Sequence, residues 1–390
     1  MKTVDGAGRR PNRLMALMTA LAVGVAALAL AACGSDLGSG GREGEVTTAE
    51  GGDAEASGDL FVSNWPFYID KETLPEFTDE TGVDVTYREE VDDNNVIFTK
   101  MQPLLQDGES GDRDIIVVTD WMAKKMYDLG YLQDFDQEAV APALENLVPS
   151  LESPSFDPER DYSLPWQGGM TGLVVNTAEA PDVDSIEDIF DPKYKGKVTV
   201  LTELRDTVPL VMKSMGVDPA DASEDDWLAA IDKLREATES GQLRDFTGNS
   251  YTNSLARGDA TIAIGWSGDA VQLQADNPDI EFIMPEEGCI LWSDNMVIPV
   301  GAPNPTAAYE FMNYVYEPEN QAQIADYNYY LTPVDGVQEE LEKLGSDAAE
   351  SELVFPTEEY TQNCTAQPNP PEDAAEEIEQ EFQSLITGGG

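Results

Sequence analysis

The run Asp114-Ile115-Ile116-Val117-Val118-Thr119 restricts this chain more than any other stretch. It is continuously apolar between polar turns, so it has no solvent face. Such a run suits a parallel strand buried on both sides, and a parallel strand needs a crossover, usually a helix, to reach its neighbour. The flanking sequence supplies those helices. Residues 60–63 and 83–87 read as strands, with a helix between them over 71–81 that stops at Gly82. Helical periodicity covers 96–105, interrupted by Pro103, and returns over 122–129 after the apolar run. The alternation then continues. Strands are predicted at 172–176, 197–201, 260–265 and 280–283, and helices at 269–275, 306–316, 319–326 and 374–386. Ser223 with Asp226 forms a capping box for a helix that carries Trp227, Ile231 and Leu234 on its core face. The pattern predicts an α/β fold of two lobes with a cleft between them, and 390 residues are enough for both cores. The expected division is 59–170 plus 294–330 for the first lobe and 171–293 plus 331–390 for the second.

The N-terminus reads as a targeting segment. Lys2, Arg9, Arg10 and Arg13 form a basic region ahead of an apolar, small-residue stretch over 14–32. Leu30-Ala31-Ala32-Cys33-Gly34 resembles the lipobox of bacterial lipoproteins. That resemblance implies a signal peptide over 1–32, cleavage before Cys33, a lipid on the Cys33 sulfur, and a protein exported and anchored to the outer face of the cell membrane. Arg9-Arg10 leaves the general and twin-arginine export routes both open. Residues 33–58 are Gly, Ser, Ala, Glu and Thr with little that is apolar, and read as a disordered tether with order beginning at Asp59. Only Cys289 and Cys364 remain after Cys33, and outside the cytoplasm two cysteines usually pair, so a disulfide between them is expected.

Charge narrows the partners. The chain has 76 acids against 22 bases and no histidine, a net charge of −54. Such a surface repels nucleic acid and anionic lipid. Most of these acids serve solvation, because a small ligand can touch only a few. Without histidine there is no His-based catalysis and no His metal ligand.

A smaller set of polar and aromatic residues gathers just after the predicted strands, where open α/β sheets bind ligands. Asn64-Trp65-Pro66-Phe67-Tyr68 follows the first strand and Thr119-Asp120-Trp121 the third. Thr202-Glu203-Leu204-Arg205-Asp206, Trp266-Ser267-Gly268-Asp269 and Tyr329-Tyr330 occupy similar places. In Leu291-Trp292-Ser293-Asp294 an indole and a carboxylate sit two residues apart, so in an extended chain they point to one side. A flat apolar face beside a fixed negative charge suits an alkylammonium.

Together with Ser163-Leu164-Pro165, Ile264-Gly265-Trp266-Ser267-Gly268 and Tyr330-Leu331-Thr332-Pro333, these segments resemble the spermidine/putrescine-binding proteins of ABC importers, within the bacterial extracellular solute-binding superfamily. The resemblance spans roughly residues 60–365. It implies a two-lobed periplasmic-binding-protein fold of type II, with lobes joined by two crossovers that close on a polyamine. It also implies delivery to an ABC permease, a monomer, no cofactor, no metal and no catalysis. Carried over residue by residue, it makes Trp65, Tyr68, Trp121, Trp266 and Trp292 the aromatic walls. Thr119, Tyr330 and Gln362 become polar contacts, and Glu203, Asp206 and Asp294 the carboxylates for ammonium groups. Phe67 stands where family members often carry an acid. Asp120 either compensates for that loss or caps the helix that follows it. The rival readings are a ferric-ion carrier using Tyr329-Tyr330, a sugar-binding lipoprotein, and a glycosidase using Glu203 and Asp206.

Overall fold

The computed structural model describes residues 47–51 and 58–388. The expected signal peptide and Cys33 lie outside the described residues. In chain order the strands are β1 (Thr48–Ala49), β2 (Gly58–Asn64), β3 (Val83–Glu89), β4 (Ile115–Thr119), β5 (Asp134–Phe135) and β6 (Leu164–Asn176). They continue with β7 (Val198–Leu201), β8 (Leu243–Thr247), β9 (Ile262–Trp266), β10 (Ile280–Ile283), β11 (Ile290–Val297) and β12 (Thr365–Ala366). The helices are α1 (Thr73–Thr81), α2 (Asn94–Gln106), α3 (Asp120–Asp128), α4 (Gln137–Glu145), α5 (Leu204–Ser214) and α6 (Glu224–Glu239). After them come α7 (Tyr251–Ala256), α8 (Ser267–Gln274), α9 (Pro305–Val315), α10 (Pro318–Asn328), α11 (Val337–Leu344) and α12 (Ala375–Ile386).

Local chemistry accounts for the ends of these elements. Gly82 takes a left-handed φ of 75° and its N–H donates to the Thr78 carbonyl, which stops α1. Asp93 is extended and accepts from the Val96 N–H, which starts α2. Ser223 and Asp226 exchange bonds as a capping box at the head of α6. The β4 run is buried at every position, as a strand covered on both faces must be.

The main sheet runs β3-β2-β4-β11-β6-β9-β7-β8, with β10 on β6 and β12 on β11. At one end β3, β2 and β4 are parallel, and at the other β8, β7 and β9 are parallel. Between these halves, β11 and β6 run antiparallel to each other and to the flanking strands β4 and β9. The α/β expectation and the two-lobed architecture hold. The register of β11 on β6 shifts between Asp294 and Asn295, at the seam between the two halves. Each half carries its own helices: α1 and α9 pack on the β2 side, and α5, α6 and α12 form the cover on the β7–β8 side. Trp166 and Trp227 are fully buried, and Trp166 stacks on Phe311 at 6.2 Å.

Three expectations need correction. First, α11 packs on α10 and the turn at Asp347–Glu350 packs on both, so residues 331–350 stay with the first lobe. The chain then runs through residues 351–364 to β12, which pairs with β11 at Ile290 and Leu291. Second, residues 47–51 are not part of a featureless tether. β1 pairs in parallel with β5, Ala49 is buried, and the Tyr309 hydroxyl donates to the Ala49 carbonyl at 2.7 Å. A two-residue strand has too little pattern to stand out from a Gly/Ser/Glu-rich background. Third, β6 begins at Leu164 rather than at 172, because Pro165, Gly168 and Gly169 broke the apolar pattern there.

Cys289 and Cys364 are disulfide-bonded, 75 residues apart, and fasten β11 to the segment that leads into β12. In a chain-entropy account a loop of that length stabilises by about 4 kcal/mol. Cys364→Ser is therefore expected to lower unfolding stability by about 2–5 kcal/mol in urea titrations. An unchanged midpoint, with reductant also without effect on the parent protein, would contradict that role for the bond.

Candidate functional site

The carboxyl ends of β2, β4, β7 and β9 all meet at the seam. There they deliver Trp65, Thr119, Glu203 and Trp266 to one cavity of about 360 Å³ of empty space. Its lining is completed by Pro66, Tyr68, Asn94, Asp206, Asn249, Trp292, Asp294, Tyr330 and Gln367. Trp292 and Asp294 occupy one face of β11, as strand alternation requires, and both reach the cavity. The Trp292 indole lies over Gly169 of β6. A Cβ at Gly169 would sit 2.3 Å from the indole, so only glycine lets the ring lie there.

The rings form a continuous wall across both lobes. Trp65 meets Trp266 edge-on at 5.8 Å, Trp266 meets Trp292 at 6.4 Å, Trp292 meets Tyr330 at 5.6 Å, and Tyr330 meets Tyr68 at 4.9 Å. The buried indole N–H groups of Trp65 and Trp292 and the side-chain carbonyl of Asn249 find no protein partner. A guest between the lobes would meet flat apolar faces with isolated polar points among them.

Carboxylates stand inside this wall. Asp294 is 4% exposed and accepts from the Thr119 hydroxyl at 2.8 Å and the Tyr68 hydroxyl at 3.1 Å. Burial pushes its pKa up to about 7; the two hydroxyls act against that shift, and Asp120 and Asp206 add to it. Asp206 accepts from Thr171 at 2.6 Å and Gln367 at 3.3 Å, and burial raises it to about 6. Glu203 is buried beside Asp93 and Asp206. Loss of water first, and those two acids second, hold its carboxyl well above the usual range, although Asn94 donates to it twice. Asp269 lies just behind the wall, accepts from Tyr251 at 2.7 Å and Tyr330 at 2.8 Å, and is raised by burial to about 6. No lysine or arginine is among the lining residues. These acids are satisfied only by neutral donors.

Of the residues expected here, Trp65, Tyr68, Thr119, Glu203, Asp206, Trp266, Trp292, Asp294 and Tyr330 come together. Three do not. The Trp121 ring is covered by the Arg205 guanidinium, 3.8 Å from its centroid, and does not line the cavity. Asp120 is the first residue of α3 and accepts from the Asn295 side chain at 2.6 Å, with Arg160 nearby. It neither faces the cavity nor caps the helix, because Thr119 holds the capping position. Gln362 lines a surface depression with Met284, Glu286 and Tyr360. The pairing of β12 with Ile290 and Leu291 carries Gln367 into the cleft instead. Asn94, Asn249, Asp269 and Gln367 were missed as site residues. Asp269 follows the Trp266-Ser267-Gly268 motif directly and was within reach of the sequence, whereas the asparagines depend on how the lobes meet. Tyr329 and Tyr330 face different spaces, Tyr330 the cleft and Tyr329 an outer groove with Phe67. They do not form a pair of phenolate ligands. Among the described residues no group of acids or cysteines is placed to hold a metal ion.

Seam-crossing strands and a cavity lined by aromatic rings and acids between two lobes are the plan of a solute-binding protein. The model for the family described as bacterial extracellular solute-binding protein matches residues 72–352, and the chain belongs to that family. It is 27% identical over 339 residues to the spermidine/putrescine-binding periplasmic protein of Escherichia coli strain K12, covering 86% of this chain and 93% of that one. It is 30% identical over 292 residues to the putrescine-binding periplasmic protein of the same organism, covering 70% and 76%. Among solved structures, the spermidine/putrescine ABC transporter substrate-binding protein of Streptococcus pneumoniae superposes with a TM-score of 0.67 at 27% identity, covering 85% of this chain and 99% of that one. A structure from Listeria monocytogenes superposes with a TM-score of 0.74 at 29% identity, covering 84% and 98%.

The buried acids predict a pH dependence for the ligand-free protein. A carboxyl raised on folding contributes stability that is present below its unfolded pKa near 4 and lost as pH rises through its folded value. For Asp294 that window runs from about 4 to about 7. Melting temperature is expected to fall between pH 5 and pH 8. Asp294→Asn should flatten the slope by about 1 kcal/mol per pH unit below pH 7. Identical slopes in parent and variant, from thermal melts at fixed ionic strength, would remove Asp294 as a source.

Proposed function

We propose that this protein captures a polyamine outside the cytoplasm and hands it to the permease of an ABC importer. One observation carries the reading: buried carboxylates converge among aromatic faces, no lysine or arginine lines their cavity, and Arg205, whose charge partly offsets Asp206, is itself paired with Glu379. A guest that brings its own positive charges and oily spacers fits that arrangement. Each ammonium gains a charged hydrogen bond in a dry site, and each methylene run covers an indole. Ring–cation contacts add about 0.5–2 kcal/mol each. Asp294 and Asp206 are the ammonium partners in this reading, and Trp65, Trp266 and Trp292 the walls. The E. coli relatives, a spermidine/putrescine-binding and a putrescine-binding protein, point the same way. A sugar would leave the carboxylates without countercharge, and a ferric ion would need hard oxygen ligands that Tyr329 does not bring to the cleft. The site serves binding and delivery rather than catalysis. The lipobox-like Cys33 would hold the mature protein, as a monomer, at the outer face of the membrane.

In a thermal-shift screen at pH 8, putrescine, spermidine or spermine is expected to raise the melting temperature, and neutral sugars are not. Asp294→Ala should weaken polyamine binding about 100-fold or more in calorimetry, because it leaves a buried ammonium unpaired. Unchanged affinity in that variant would take Asp294 out of the site, and no shift with any amine would overturn the reading.

A further inference from the structure

The cleft carboxylates are not equivalent. Asp206 and Asp294 each accept from neutral side chains in their own neighbourhood, and for Asp206 both of those bonds fall on one oxygen. Glu203 is held from the opposite lobe. Asn94, at the head of α2, gives its backbone N–H at 2.7 Å and its side-chain amide at 2.9 Å to the same Glu203 oxygen. That amide also donates to Thr119 at 2.8 Å, and its carbonyl accepts from the Thr119 N–H. Two further contacts fasten the same line. Thr202 donates to Asp93 at 2.8 Å, and the Asn249 N–H donates to Asp92 at 3.0 Å. Gly248 allows that approach, since a Cβ there would lie 2.3 Å from the Asp92 carbonyl oxygen. Glu203 thus belongs to the contact between lobes. Burial first, then the neighbouring Asp93 and Asp206, raise its pKa and so disfavour its charged form, which makes it a poorer ammonium partner than Asp294.

The other places where a longer cation could extend are also taken. The face of Trp121 is covered by Arg205, whose guanidinium is anchored by Asn369 at 2.9 Å and Glu379 at 3.0 Å. Beyond Trp65 the turn presents Phe67, 43% exposed and without charge.

We propose that the cleft selects a short linear diamine over tri- and tetra-amines, with Asp206 and Asp294 meeting its two ammonium groups and Asn94 withholding Glu203 as a positioning residue. This rests on the polyamine reading above. A third ammonium would have to displace Asn94 from Glu203 or Arg205 from Trp121, and either exchange breaks contacts that hold the lobes together.

The test is calorimetry on the full chain with putrescine, cadaverine, spermidine and spermine at one pH and ionic strength. The diamines are expected to bind at least about tenfold more tightly than spermidine, a difference of about 1.4 kcal/mol. Asn94→Ala should weaken putrescine and move the putrescine-to-spermidine affinity ratio at least about fivefold toward spermidine, since Glu203 loses the side-chain donor and keeps only the backbone N–H. Spermidine binding as tightly as putrescine in the parent protein would overturn the diamine assignment while leaving the polyamine reading intact. An unchanged ratio in the variant, with both affinities reduced, would overturn the positioning role of Asn94. Failure of every amine to bind would take down the polyamine reading and this one with it.

Discussion

Carboxylates removed from water with no lysine or arginine beside them in the cavity are the constraint on which the cleft depends. A buried anion is costly unless it is paired or takes up a proton. In this protein the nearby donors are hydroxyls and amides: Thr119 and Tyr68 on Asp294, Thr171 and Gln367 on Asp206, Tyr251 and Tyr330 on Asp269. They lower the cost without cancelling it, so the three acids hold protons to about pH 6–7. The site is thereby set to exchange a proton for a cationic guest.

The fold places that cost where the two lobes meet. Two parallel half-sheets aim their carboxyl ends at the antiparallel pair β6 and β11, which run through both halves. Bonds across the seam from α2 to the loops after β7 and β8 define a closed arrangement. Each is a contact that hinge opening would break and a ligand touching both lobes would favour. Among the described residues the remaining acids lie mainly on the surface, where screening weakens their mutual repulsion. The acids of the cleft differ from them by burial rather than by identity.

How much of this the sequence disclosed follows from the range of each interaction. β4, the α1 stop at Gly82 and the capping box at Ser223 rest on neighbours within a few residues, and their patterns were readable directly. The pairing of Trp292 with Asp294 was readable too, because alternation along one strand settles it. Gln367 was not, since its position depends on β12 pairing with β11 across a 75-residue gap. Trp121 looked like a wall residue from its place after β4. Its face was lost to Arg205 from the other lobe, a contact with no local signal. Residues 331–350 follow the same rule, because only the packing of α11 on α10 shows which lobe they join.

The most direct test of the central claim is a proton inventory. Putrescine binding would be measured calorimetrically at pH 6.5 in buffers of differing ionisation enthalpy. A cation seated on Asp294 and Asp206 stabilises their charged forms, so binding should release protons to the buffer, and Asp294→Asn should release fewer. Binding without proton release would contradict the account.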